Sequence, residues 1–257
     1  MKLASIHVYP IKALDPASVT SARITDGGIL EHDRAWALRG PDGRFIRGKS
    51  SEAIHKVRAR YILPGGYVTF MWAWETEEYT FRLGKEDDAI AGWLERRLGQ
   101  PVQIVSDPVH GFPDDTEAFG PTVISEATLE TVSSWFPGIP LEEIRRRFRP
   151  NLVVAGVPPF WEDRLYAATG RVVFRIGDVT IHGTNPCARC VVPTRDPVSG
   201  NARADFMKVF AERRRATLPP WAAASRFDHY YRLSVNTVIE KSEAGKHLRV
   251  GDDVAIV

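Results

Sequence analysis

Short segments in which apolar and polar residues alternate, separated by turn residues, dominate the first hundred positions of this chain. Leu3 to Tyr9 and Ser18 to Ile24 alternate with the period of a half-buried strand. Tyr67 to Trp74 and Glu78 to Leu83 predict a further strand pair. Many short strands with few helices argue against a parallel α/β sheet, because such a sheet needs a helix between successive strands.

A turn signal lies between two more of these segments. Gly40-Pro41-Asp42-Gly43 separates Ala35 to Arg39 from Arg44 to Arg47. Glycine and proline at such positions favour a tight reversal of the chain, so these residues predict a β-hairpin.

Four segments have the apolar spacing of helices, with start or stop signals at their ends. Asp88 is predicted to cap the first helix, which Gly99 ends. Ser125 is predicted to cap the second, which runs to about Phe136. The other two predicted helices are Leu141 to Arg147 and Arg203 to Arg214.

A proline-rich stretch near the middle of the chain separates two regions rich in strands. Residues 107–121 have little periodicity. The strands predicted after it are Leu152 to Ala155, Val172 to Ile176, Asp178 to His182, Tyr231 to Ile239 and a closing segment within 248–257. We therefore expect a mainly β fold with peripheral helices, of the α+β class. A barrel-like domain of residues 106–257 follows a smaller β-rich domain of residues 1–105.

The charge of the chain is nearly balanced, with 34 basic and 32 acidic residues. The clusters Arg145 to Arg147 and Arg213 to Arg215 are interpreted as solvated helix faces, and no nucleic-acid-binding motif is present. No apolar run approaches the roughly 20 residues of a membrane span. The alternating start does not resemble a signal peptide, so we expect a cytoplasmic protein with free thiols.

Both cysteines of the chain lie in Cys187-Ala188-Arg189-Cys190. A structural zinc site needs four ligands, and only His182 stands near the pair. A thioredoxin-like site needs the pair at a helix start, which Pro193 and Pro197 disfavour. A zinc deaminase also needs a His-x-Glu motif, which this sequence lacks.

A fourth interpretation of the pair is a single thiolate ligand for a soft metal, with the second cysteine as its neighbour. In that arrangement, Arg189 would hold an anionic group beside the metal. Cys187 is then either a redox partner that protects Cys190 or a buried structural residue, and the second is the favoured interpretation.

The segment around the pair resembles the signature of the MOSC family, through Arg189-Cys190, Thr194, Asp196-Pro197 and Gly200. Further motifs follow the order of that family and of the N-terminal domain found in its amidoxime-reducing, mARC-like branch. They are Tyr9-Pro10-Ile11-Lys12, Asp33-Arg34-Ala35-Trp36, Phe148-Arg149-Pro150-Asn151-Leu152-Val153-Val154 and Val250-Gly251-Asp252.

The resemblance implies a β-barrel MOSC domain that binds molybdenum cofactor (Mo-molybdopterin), a pterin with a dithiolene and a phosphate. Cys190 stands where mARC-like relatives place the metal ligand and catalytic residue. The residues that the resemblance assigns to cofactor binding are Lys12, Arg34, Arg149, Asn151, Arg189 and Cys190. Sequence departures from the family occur at Ala13, Ala188 and 118–122, while Thr237 is a candidate for a late pterin contact.

The implied activity is that of a molybdenum-dependent oxidoreductase, independent of pyridoxal phosphate, which reduces N-hydroxylated or N-oxygenated small molecules. A carrier of the cofactor or of sulfur, without substrate turnover, is the alternative, and a thiol redox or zinc protein that binds no pterin is a third hypothesis. An iron–sulfur cluster needs about four cysteines. Electrons are therefore expected from a separate cytochrome b5-like or ferredoxin-like donor with its reductase.

Overall fold

Fifteen strands and four α-helices make up the fold in a computed structural model, which describes all residues from 1 to 257. The strands are β1 (Lys2–Val8), β2 (Ala17–Val19), β3 (Ser21–Arg23), β4 (Trp36–Arg39), β5 (Val57–Ile62), β6 (Tyr67–Trp72), β7 (Glu78–Arg82), β8 (Gln103–Ser106), β9 (Val123–Ser125), β10 (Leu152–Ala155), β11 (Val172–Ile176), β12 (Val179–Ala188), β13 (Arg232–Val238), β14 (His247–Arg249) and β15 (Val254–Ile256). The helices are α1 (Asp87–Leu98), α2 (Glu126–Ser134), α3 (Leu141–Phe148) and α4 (Phe206–Ala216). The predicted mainly β, α+β class is confirmed.

Eight strands form one sheet in the order β15-β11-β12-β13-β9-β10-β1-β2. Every neighbouring pair is antiparallel except β9 with β10. The amide of Leu3 donates to the Asp252 carbonyl at 2.9 Å, and that of Val254 to the Met1 carbonyl at 3.1 Å. These bonds join β1 to the start of β15, so most of the sheet closes on itself around a buried apolar core.

A second core lies under the three-stranded sheet β5-β6-β7 and the pair β4-β8. Helix α1 covers this core because Ile90, Trp93 and Leu94 occupy one of its faces. The Trp93 ring stacks on Phe70 with a centroid distance of 5.2 Å. Gly99 ends the helix in a left-handed conformation, as predicted.

A third core joins helices α2, α3 and α4 to the outside of the barrel sheet. The rings of Phe136 and Phe206 stack at 4.2 Å, and Phe148 packs beside them. The Ser125 hydroxyl accepts a hydrogen bond from the Thr128 amide, which confirms the predicted cap of α2.

Several local predictions are corrected by the structure. Helix α1 begins one residue before Asp88, which lies in its first turn and does not cap it. Residues 44–47 make only an isolated bridge from Phe45 to Arg39, and the ladder partner of β4 is β8. Strands β5 and β9 are not among the predicted strands, and β12 extends past His182 to Ala188.

The beginning of the chain takes part in the barrel. Strand β1 pairs with both β10 and β2 in the large sheet, while β3 pairs with β14 from the other end of the chain. The division into residues 1–105 and 106–257 therefore remains a prediction. None of the helices has both the length and the apolar character needed to cross a membrane.

The two arginine clusters are not simply solvated, contrary to the sequence interpretation. Arg147 and Arg214 are buried, at 5% and 1% exposure, because each faces inward from its helix. The Arg214 guanidinium pairs with Asp163 and lies over the Phe160 ring. Arg213 and Arg215 are exposed, as a solvated face requires.

Glu162 is a buried acid beside the cap of α2. One of its carboxyl oxygens accepts hydrogen bonds from the Ser125 amide and the Thr128 hydroxyl, and the other has no partner. Burial, with a contribution from the charge of Asp163, raises the pKa of Glu162 to about 7. Between about pH 4.5 and 7 the folded state therefore holds a proton that the unfolded state has lost.

The stability contributed by protonated Glu162 is present below about pH 4.5 and is lost as the pH rises through about 7. We expect Glu162→Gln to raise the free energy of unfolding at pH 8 by about 3 kcal/mol and to change it little at pH 4.5. Urea unfolding at both pH values measures this difference. Glu130→Gln on the exposed face of α2 is the matched control, and equal effects of the two variants would contradict the prediction.

Candidate active site

A cavity of about 610 Å³ opens between the second core region and the barrel. Four stretches of chain form most of its wall, namely residues 12–16, 47–58, 113–122 and 185–197, and the end of α3 completes it. A cavity of this size is typical of small-molecule and cofactor sites. The site therefore belongs to both halves of the chain.

The wall of the cavity is strongly cationic. Ten lysines and arginines line it against four carboxylates. Two of these arginines, Arg58 and Arg146, share the carboxylate of Asp15, at 2.8 and 3.3 Å. The excess of positive charge favours an anionic ligand.

All of the residues proposed for cofactor binding line this one cavity, although they are far apart in sequence. They are Lys12, Arg34, Arg149, Asn151, Arg189 and Cys190. Their common location agrees with a single binding site, and their individual roles stay predictions.

Arg34 and Arg149 both lie close to the ring of Tyr9. Their guanidinium carbons lie 5.2 and 4.1 Å from the centre of its ring. Both arginines have left-handed backbones, with φ of 51° and 52°, which is uncommon for residues with a side chain. Backbone strain of this kind is often found at binding sites, where the surrounding structure enforces it.

Tyr9 fixes the two turns that carry these arginines. Its hydroxyl donates to the Pro150 carbonyl at 3.1 Å, and its amide donates to Asp33 at 2.9 Å. Burial raises the pKa of Tyr9 to about 12, so the phenol stays neutral beside the two cations.

Arg34 and Arg149 differ in their partners. Arg34 forms an ion pair with Asp33, whereas the Arg149 side chain makes no ion pair and no hydrogen bond. Burial lowers the pKa of Arg149, and the neighbouring charge of Arg34 acts in the same direction. A desolvated guanidinium without a carboxylate is a ready partner for an anion in the cavity.

Asn151 joins several parts of the wall. Its side-chain oxygen accepts from the Thr122 amide at 3.2 Å, and its side-chain nitrogen donates to the His7 carbonyl at 3.0 Å. The residue is only 1% exposed. Asn151 therefore supports the wall through its side chain as well as lining it.

The two cysteines lie where β12 leaves the barrel. Cys187 is the second-last residue of the strand and is half-buried. Its sulfur is 3.2 Å from the Arg189 guanidinium. Cys190 is exposed and has no hydrogen-bond partner. Cys187 is therefore less buried than expected and lines the cavity too, while its role as a structural residue or as a redox partner stays a prediction.

The signature residues after the cysteines build a rigid loop. The Asp196 carboxylate accepts hydrogen bonds from the amides of Val198 and Ser199. At Gly200, with φ of 79°, an added Cβ would meet the Glu52 carbonyl at 2.7 Å, so a side chain has no room. Arg147 holds the same loop from below by donating to the carbonyls of Pro193 and Arg195.

Two further predictions concern Thr237 and the segment 118–122. Thr237 is fully buried and donates its hydroxyl to the Pro121 carbonyl, so it does not face the cavity; Asn236 does. Residues 118–120 line the wall, and because they are Ala, Phe and Gly their only hydrogen-bonding groups are those of the backbone. Further wall residues were not predicted as site residues, although Arg146 belongs to a predicted arginine cluster and Arg195 lies within the signature segment. They include Arg47, Lys49, His55, Arg58, Arg146 and Arg195.

The fold and the cavity define a mainly β protein in which a cationic small-molecule site lies between a barrel sheet and a second, smaller β region. Residues 115–255 match the MOSC domain, and residues 1–91 match the MOSC N-terminal beta barrel domain. The chain therefore belongs to the MOSC family. This membership, with the N-terminal domain of the mARC-like branch, confirms the recognition made from the sequence motifs.

Curated relatives are similar at low identity. The molybdenum cofactor sulfurase of Oryza sativa subsp. japonica is 24% identical over 242 residues, which cover 73% of this chain and 27% of the sulfurase. The mitochondrial amidoxime-reducing component 1 of Homo sapiens is 23% identical over 235 residues, which cover 77% of this chain and 67% of that protein. The component 2 protein of Rattus norvegicus is 23% identical over 241 residues. The chain thus spans about a quarter of the sulfurase.

Proposed function

We propose that this chain binds molybdenum cofactor in the cationic cavity and reduces N-hydroxylated or N-oxygenated small molecules. The observation that carries the proposal is that an exposed thiol, Cys190, shares one cavity with a cluster of cations drawn from both halves of the chain. The names of the relatives support it, since they refer to molybdenum cofactor and to amidoxime reduction.

The residues that line the cavity fit molybdenum cofactor. The cofactor carries a phosphate, and Arg149 offers an unpaired guanidinium within the cavity. Molybdenum accepts thiolate sulfur, and Cys190 offers a thiol that no protein group engages. No three His, Cys, Asp or Glu side chains come together as a metal site. A single protein thiolate is the donor available here, and it suits a metal that the cofactor's dithiolene sulfurs already hold.

Each part of the wall has a separate task in the proposal. Lys12, Arg34 and Arg149 hold the phosphate through charge-assisted hydrogen bonds. Arg189 and Asn151 contact the pterin, and Cys190 ligates the metal. The bound metal supplies two-electron oxygen-transfer chemistry, while the protein orients it and shapes access for the substrate.

Electrons for turnover come from a separate donor in this proposal. The 257 residues contain two cysteines, and an iron–sulfur cluster needs about four. A cytochrome b5-like or ferredoxin-like protein with its reductase would fill this role. The donor, the small-molecule substrate and the cytoplasmic location remain predictions.

A carrier of the cofactor or of sulfur is the second candidate. The similarity to molybdenum cofactor sulfurase favours it, together with the exposure of the Cys190 thiol. The two candidates share one cavity and differ in whether an organic substrate is turned over.

Cofactor content tests the proposal first. We expect near-stoichiometric molybdenum and pterin in protein purified from a host that makes the cofactor. Arg149→Met should lower both by about tenfold, because it removes a charge-assisted hydrogen bond. Arg145→Met is the matched control, since Arg145 is on the adjacent helix and does not line the cavity.

Absence of pterin from the wild-type protein would overturn the proposal. Equal losses in the two arginine variants would contradict the assigned site. Loaded protein is then assayed with amidoximes and a chemical reductant, so that the result does not depend on the protein donor. Turnover supports the reductase, and loaded protein without turnover of any N-hydroxylated compound favours the carrier.

A further inference from the structure

One of the cations assigned to phosphate binding, Lys12, already pairs with a carboxylate of the chain itself. The Lys12 ammonium donates to Asp114 at 2.6 Å. Burial lowers the pKa of both Lys12 and Arg149, and the charge of Asp114 opposes the shift in each case. Asp114 also favours the charged form of Arg34. One carboxylate therefore acts on all three cations.

The two partners in this ion pair differ in freedom. The Lys12 side chain is 6% exposed, while that of Asp114 is 72% exposed. Lys12 is fixed further by a 2.7 Å hydrogen bond to the Phe112 carbonyl. The third ammonium proton has no protein acceptor. The carboxylate is thus the partner that can leave, and the lysine stays in place.

The other three carboxylates that line the cavity have different surroundings. Asp15 is held by Arg58, Arg146 and the Ala59 amide. Asp115 accepts from two backbone amides and from the Asn236 side chain. Glu117 is exposed and makes no side-chain contact with any of the cations. Only Asp114 occupies the place of an anionic ligand.

We propose that Asp114 is a tethered competitor for this anion site and makes it selective for dianions, such as phosphate monoesters, over carboxylates. The inference rests on the proposed function, which assigns the cofactor phosphate to these three cations. It adds a residue that determines which anions can enter.

The selectivity follows from competition between a tethered and a free group. A tethered carboxylate acts at an effective concentration in the millimolar range or above. A free carboxylate makes the same contacts as Asp114 but must also lose translational and rotational freedom, so it is a poor competitor. A phosphate monoester brings nearly two charges and three acceptor oxygens, which match three cations.

Direct binding to the full chain tests this inference. Protein purified from a host that lacks cofactor synthesis is titrated calorimetrically with phenyl phosphate and with benzoate at pH 8. Both probes carry the same ring, so the difference reports the anionic group. We expect phenyl phosphate to bind at least about 30-fold more tightly than benzoate to the wild type.

Asp114→Asn should tighten benzoate binding by at least about tenfold and reduce the preference for phosphate. Glu117→Gln removes the same charge from the same cavity and is expected to change either affinity by less than about twofold. In a Lys12→Met background, Asp114→Asn should give no gain, because the contact that it frees is already absent. Thermal unfolding checks each variant, and Asp114→Ser replaces Asp114→Asn if that variant is unstable.

Benzoate binding that is unchanged, weaker or undetectable in a folded Asp114 variant would overturn the inference, because Asp114 would then merely support Lys12. Equal gains from the Asp114 and Glu117 variants would also overturn it, because they would reflect net charge alone. The proposed function fails separately. If protein purified from a host that makes the cofactor contains no molybdenum or pterin, while the cofactor-free protein shows the Asp114 effect, the cofactor assignment is disproved and the competition stands.

Discussion

Replacement of Cys190 by alanine is expected to lower reductase activity by more than about 100-fold, since even residues that only support a metal ligand are worth 10- to 100-fold. The fold should survive the change. Cys190 is exposed and lies outside the three apolar cores, so removal of its sulfur leaves no internal void. Steady-state reduction of an amidoxime with a chemical reductant measures the activity, and thermal unfolding measures the fold.

Cys187→Ser is the matched control for this experiment. Cys187 lines the same cavity, but its sulfur is already engaged by the Arg189 guanidinium. A serine hydroxyl can accept the same hydrogen bond, so we expect a loss of less than about tenfold. Wild-type turnover in Cys190→Ala would rule out the proposed metal ligand. A total loss of molybdenum in Cys187→Ser alone would exchange the roles of the two cysteines.

Arg214→Leu is expected to lower the free energy of unfolding by about 3 to 5 kcal/mol, the range found when one partner of a buried ion pair is removed. The guanidinium and the Asp163 carboxylate are both almost fully buried, at 1% and 4% side-chain exposure. The variant would leave that carboxylate charged in an apolar environment, between the Phe160 and Phe227 rings that now pack on the arginine. Urea unfolding monitored by tryptophan fluorescence measures the change.

Arg213→Leu provides the comparison on the same helix. Its side chain is exposed, so we expect a change within about 0.5 kcal/mol. The double variant Asp163→Asn with Arg214→Leu should recover part of the loss, because no isolated charge remains buried. A loss below about 1 kcal/mol for Arg214→Leu would show that Asp163 finds another partner or takes up a proton.

Local patterns predicted the elements of this fold better than their pairing. The alternation in β6 and β7 predicts both strands, and the cap at Ser125 predicts the start of α2. Each of these signals depends on residues close in sequence. The turn at 40–43 does form, yet β4 pairs with β8, more than sixty positions later. A turn signal predicts a reversal of the chain; it does not show which distant strand offers the better edge.

The site was predicted in outline for a similar reason. Motifs located Lys12, Arg34 and Cys190, and the fold brings them to one cavity. Motifs did not separate Arg147, which is buried under the signature loop, from its neighbour Arg146 on the wall. They also gave no sign of Asp114, because its partner is about a hundred residues away. Such pairings depend on tertiary structure.

The position of β1 in the barrel has a consequence for how the molecule forms. This strand is synthesised before its hydrogen-bonding partners, which are β10 and the segment at 252–254. Closing loops of such length is entropically costly, and chains with many distant contacts fold slowly. The apolar side chains of β1 therefore lack their native neighbours during synthesis, and the nascent chain is prone to aggregation until β10 and residues 252–254 have been made.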